Sequence, residues 1–79
     1  MPTVLQKEGF AVRIYTRDHP PPHVHVVKAD EVIIINLGSA TEPVTIREAR
    51  MQRTAARRAV EIVEECRLFL LEKWSEIYE

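Results

Sequence analysis

The sequence predicts an α+β fold: an antiparallel meander of three or four strands with one long C-terminal helix packed on one face. Two observations predict it. The first half of the chain carries period-two alternation and short apolar runs broken by Gly and Pro, and the second half changes to a helical period with neither residue. At 79 residues there is room for one domain, divided into a meander over residues 1–49 and a helix over 50–79. A core this small contributes only a few kcal/mol beyond the ordering entropy, so a partner, a metal or disulfides often assist such domains. Disulfides are excluded, because Cys66 is the only cysteine.

Each element has its own signal. In "GFAVRIYTR", Phe10, Val12, Ile14 and Thr16 fall on one face and Ala11, Arg13, Tyr15 and Arg17 on the other, as in a half-buried strand. Pro20, Pro21 and Pro22 end it, having no N–H for a ladder. "HVHVVK" alternates again, with Val24 and Val26 opposite in sense to His23 and His25, and "EVIIINL" is apolar enough for a central strand. Gly38, Ser39 and Pro43 bracket a loop before a short fourth strand, "VTIREA". From Gln52, the residues Ala56, Ala59, Val60, Val63, Leu70, Trp74 and Ile77 recur at steps of three and four, predicting one helix of about seven turns ending near Ile77.

If the helix covers the face of Phe10, Val12 and Ile14, then Val24 and Val26 share that core. His23 and His25 then point outward beside Arg13, Tyr15 and Arg17. That collection suits an anion, an RNA phosphodiester especially: guanidinium forks for phosphate, a phenol ring for stacking, and two imidazoles as base and acid. On this reading His23, His25 and Tyr15 are the candidate catalytic residues, and Arg13, Arg17, Asp18 and His19 bind. The competing readings are a solvated sheet face with a stiff His-Pro turn, in which Asp18 accepts backbone bonds, and a metal set of His23 and His25 completed by His19 or by Asp18. Nothing in the pattern calls for an organic cofactor: there is no Gly-rich phosphate loop.

The helix adds two features. Arg67 falls within about 20° of Ala56 and Trp74, inside the apolar stripe, where a guanidinium must find acceptors or reach solvent. It is counted with the binding residues, alongside the plainer reading that it pairs with carbonyls at a sheet edge or with an acid. Ile62, Cys66 and Phe69 widen the apolar surface to about 200°, more than one packed face requires, which predicts a homodimer or partner interface there.

The formal charge of −1 conceals two poles, five arginines against one glutamate over residues 47–58 and six glutamates against Arg67 and Lys73 over 61–79. A lone thiol and no signal-like start point to a reducing cytoplasm, and no run approaches a membrane span.

"YTRDHPPPHVHV", the apolar strand after it and the C-terminal "VEECRLFLLEKW" resemble a widespread family of small bacterial proteins, domain-of-unknown-function family 4160. The most specific part is the signature Asp18-His19-x-Pro-Pro-His23-x-His25. The resemblance implies a partner protein encoded by an adjacent gene (a second domain of unknown function, family 2442) and a toxin–antitoxin pair. The basic sheet face favours the toxin role, against an antitoxin-like or regulatory binding module in which the histidine turn is only structural. The resemblance implies no reaction. Two positions depart from the family's habit: Arg17 replaces a small polar residue, and Leu68-Phe69 replace a charged pair.

Overall fold

A computed structural model of the chain describes residues 3–78. Five strands form one antiparallel sheet in sequence order: β1 (Thr3–Lys7), β2 (Phe10–Arg13), β3 (His23–Lys28), β4 (Glu31–Asn36) and β5 (Thr45–Arg50). Two helices follow, α1 (Arg53–Glu65) and α2 (Arg67–Tyr78). The α+β class and the meander stand as expected. The strand number and the single long helix do not.

The missed strand is β1. It pairs with β2 through a two-residue turn in which Lys7 faces Phe10, and both turn residues, Glu8 (φ 55) and Gly9 (φ 84), have positive φ. That backbone matches the right-handed twist of the paired strands. β2 is shorter than its alternation implied: it stops at Arg13, and Tyr15 to Asp18 form a turn closed by an Asp18 N–H to Tyr15 carbonyl bond of 3.0 Å.

The core lies between one sheet face and the helices. Phe10, Val12, Ile14, Val24, Val26, Ile33, Ile35 and Leu37 supply the sheet side, and Ala59, Ile62, Val63, Leu70 and Trp74 the helical side. On the other face, cross-strand register aligns Arg13 with His25 and Ile34, and Ala11 with Val27 and Val32. These residues are half-buried.

The helix breaks at Cys66, whose N–H still reaches the Ile62 carbonyl (3.0 Å) while Leu70 N–H takes the Cys66 carbonyl (2.9 Å). No glycine or proline marks the break. With two shorter helices, the buried stripe of α1 centres on Ala59, Ile62 and Val63. Ile62 is therefore fully buried and is no part of an outer interface, and Cys66 is half-buried against the core. Phe69 stays 40% exposed and its neighbour Leu68 79% exposed. Among the described residues, no helix is long and apolar enough to cross a membrane.

The arginine-rich start of α1 is tied down at one position. Arg58 bonds Glu8 of the first turn by Nε–H to Oε1 (2.9 Å), and also reaches Glu61 (3.2 Å) and Glu65 (3.3 Å). Lys7 Nζ also meets Glu65 at 3.3 Å. The Arg58 bond holds the Glu8 carboxyl below its ordinary range, and the bonds from Lys7 and then Arg58 do the same for Glu65. A carboxylate with a depressed folded value stabilises fully above the ordinary value of 4.5 and loses that contribution as pH falls through the folded value. The stability difference between wild type and Arg58→Gln is accordingly expected to be largest near neutrality and to close in acid. Melting curves across that range check it, and a difference that does not change with pH would refute the linkage.

Candidate functional site

The turn after β2 and the first residues of β3 bring a carboxylate and two imidazoles together. Asp18 sits in the turn with its oxygens divided: Oδ2 accepts the Tyr15 N–H at 3.0 Å, closing the turn from the opposite direction to the Asp18 N–H bond. Oδ1 is left facing the histidines, 3.3 Å from His25 Nε2 and 3.5 Å from His23 Nε2. His25 stands opposite Arg13 across the β2–β3 ladder. Its ring meets Tyr15 edge-on at 4.6 Å.

His23 does not lie on an open face. It is 3% exposed, its ring 5.3 Å from that of Trp74, and Trp74 in turn stacks on Tyr78 at 4.3 Å. The alternation of β3 is as expected, but α2 closes the end of the sheet where β3 begins. Strand periodicity carries no information about a helix crossing that end. His23 Nδ1 lies 2.9 Å from the Pro21 carbonyl oxygen, and since a carbonyl only accepts, Nδ1 carries the proton. The Pro20–Pro21 peptide is cis.

The remaining predicted residues scatter. His19 is exposed and takes no part in the cluster, so of the two residues expected to complete a metal set with His23 and His25 it is Asp18 that stands beside them. Arg17 is exposed in the turn. Arg13 is half-buried, and its Nε is shut off from solvent with no hydrogen-bond partner among the described residues.

Arg67 belongs elsewhere. Its Nε–H donates to the Leu37 carbonyl at 2.7 Å and Nη2 to the Ser39 carbonyl, at the end of β4. It is a structural charge and no part of the histidine cluster, because the buried stripe of α2 leads it to the loop carbonyls of Leu37 and Ser39. That loop has its own constraint. Gly38 has φ 71, and a Cβ there would stand 2.4 Å from the Glu42 carbonyl oxygen and 2.5 Å from that of Pro43.

One contributor was missed from the sequence: Tyr78, whose hydroxyl bonds the Tyr15 carbonyl (3.0 Å) and the Asp18 carbonyl. Burial holds its phenol above the usual range, with the nearby Asp18 charge adding to the effect. Its position four residues after Trp74 was the available signal, since i and i+4 share a helix face. A groove of about 650 Å³ adjoins the cluster through Pro21 and Pro22 and runs past Asn36, Ser39, Pro43 and Leu71. Its walls are mostly apolar and include neither histidine.

With this geometry in view, comparison with known proteins defines the class. Residues 9–75 match the family described as Domain of unknown function (DUF4160), and the chain belongs to it. No curated protein and no solved structure matches the chain.

If Arg67 is the clamp its bonds describe, Arg67→Leu removes its donors from the Leu37 and Ser39 carbonyls, leaving Ser39 only the 3.3 Å bond from the Glu42 N–H, and costs about 1–3 kcal/mol. Urea denaturation measures this, and an unchanged midpoint would mean that the guanidinium merely snorkels.

Proposed function

We propose that this protein is the toxin of a bacterial type II toxin–antitoxin pair and that it binds an RNA phosphodiester on the sheet face of Arg13, Tyr15 and His25. The observation that carries the reading is the grouping of Arg13, His25 and Tyr15 on one sheet face, Arg13 directly across the ladder from His25 and Tyr15 edge-on to the His25 ring at 4.6 Å. The guanidinium of half-buried Arg13 brings forked donors suited to phosphate oxygens to the side of an imidazole. Tyr15 offers a ring for stacking and Arg17, on the adjoining turn, a second cation. Binding is proposed rather than cleavage. An acid–base pair needs two accessible groups, and His23, the intended second imidazole, is buried beneath Trp74. Supporting this surface as a ligand site, Arg13, Tyr15 and His25 are all partly accessible.

The test is RNA binding by the purified chain, together with growth arrest when it is expressed alone. Arg13→Gln is expected to weaken RNA binding about tenfold, the effect of roughly 1.4 kcal/mol, with the fold retained. Binding to single-stranded RNA that ignores both this change and added salt would refute the proposal.

A second reading, a protein-binding regulatory module, is favoured by Leu68 and Phe69, adjacent apolar residues exposed on α2. It predicts that Phe69→Glu abolishes capture of the product of the adjacent gene and leaves RNA binding intact. Undiminished capture by the variant excludes Phe69 as the anchor.

A further inference from the structure

The proton on His23 Nδ1 leaves the other ring nitrogen turned toward a carboxylate oxygen, an arrangement that calls for a positive centre, a second proton or a metal ion. With Nδ1–H committed to the Pro21 carbonyl, Nε2 of the neutral ring is a bare lone pair. That lone pair faces Asp18 Oδ1 at 3.5 Å, and a carboxylate oxygen is also an acceptor. Two acceptors turned toward each other in a sheltered place repel unless a positive centre lies between them. His25 Nε2 converges on the same oxygen from 3.3 Å. Side-chain exposure is 4% for His23, 13% for Asp18 and 20% for His25, so water screens the arrangement little.

From this geometry we propose that Asp18, His23 and His25 form a binding site for a divalent ion of the zinc class (zinc, cobalt or nickel). The separations fit: donors about 2.0–2.1 Å from one tetrahedral ion stand roughly 3.3 Å apart. Both imidazole-to-carboxylate distances lie at that value or close to it, and all three donor atoms fall within 4.8 Å of one another. A modest rotation of one imidazole closes the third edge. The support around the ligands is also in place. A ligating histidine characteristically donates its other ring N–H to a backbone carbonyl, as His23 does to Pro21, and a ligating carboxylate is held by its second oxygen, as Asp18 is by the Tyr15 N–H. Two imidazoles and one carboxylate select borderline ions over magnesium or calcium, which prefer all-oxygen shells. Three protein ligands leave a fourth position, and His25, the most accessible of them, marks the side on which it opens. A ligand oxygen taken there would lie on the face that carries Arg13.

The site goes beyond the RNA reading and does not depend on it. Protein freed of metal with chelator and titrated calorimetrically with zinc is expected to take up one equivalent. Trp74 is the only tryptophan and its ring lies 5.3 Å from that of His23, so cobalt or nickel should quench its fluorescence while magnesium does not. His25→Ala and Asp18→Asn should each weaken zinc binding by about 100-fold or more, the upper end of what losing a mere supporting contact costs. His19→Ala should change nothing. Wild-type protein that takes up no zinc, or variants that bind as tightly as wild type, would overturn the site. Should either variant fail to fold, the imidazole nitrogen resonances of wild type decide: zinc must move those of His23 and His25, and movement of His19 alone refutes the assignment. Arg13→Gln separates the two proposals, because it should lose RNA and keep zinc.

Discussion

Helix α2 is held at both ends by side chains that donate to backbone carbonyls, and the rest of the site depends on that clamp. At its start Arg67 takes the carbonyls of Leu37 and Ser39, and at its end the Tyr78 hydroxyl takes those of Tyr15 and Asp18. Strand ends and loops leave carbonyls that the ladder does not use, and burying them unpaired is costly. α2 brings donors to them at both attachments while closing the end of the sheet, and the Tyr15 and Ser39 carbonyls also accept the Asp18 and Glu42 N–H groups of their own turns. Between the two attachments Leu70 enters the core and Trp74 is laid over His23.

The histidine cluster follows from this closure. Without α2, His23 would stand at an open strand end beside His25. Trp74 instead removes His23 from solvent, and the Pro21 carbonyl fixes which of its nitrogens bears hydrogen. The Tyr15–Asp18 turn, pinned from above by Tyr78, fixes where the carboxylate sits. Three groups on two segments thus acquire defined positions, and only His25 keeps substantial contact with water. The preorganisation is of the kind a ligand site requires, because Asp18 and His23 are each oriented by a backbone hydrogen bond.

Much of this was legible in the residues, and the losses have physical causes. Period-two alternation located β2, β3 and their shared core, since a strand with one buried face must alternate, and it correctly set Arg13 beside His25. β1 escaped notice because "TVLQK" is an edge strand with no fully buried residue, so burial imposed little pattern on it. The break at Cys66 was invisible: the apolar spacing runs on through it and no breaker residue occurs. Ile62 was misplaced because it sits only about 60° round the helix from Ala59, within reach of the same buried stripe. His23 was misplaced because strand periodicity does not show that Trp74 of α2 packs against it. Arg67 was legible as an anomaly, a charge in an apolar stripe, and pairing with carbonyls at a sheet edge was one of its two plain resolutions.

The two edges of the sheet bear on where a protein partner would dock. An unpaired edge strand invites pairing with another chain unless it is bent or charged. β5 is exposed along its whole length, but it carries Arg47, Glu48 and Arg50 and its register shifts between the partners of Ile34 and Ile35. β1 shifts likewise between Thr3 and Leu5. Both edges therefore resist the addition of a strand. What remains apolar and accessible on the helical side is Leu68 and Phe69, just after the break, where Lys73 lies 5.4 Å from the Phe69 ring and leaves the aromatic edge free. A partner of this chain would be gripped by side chains from α2, not by backbone from the sheet. The same helix that closes the histidine cluster on its inner side would then carry that contact on its outer side.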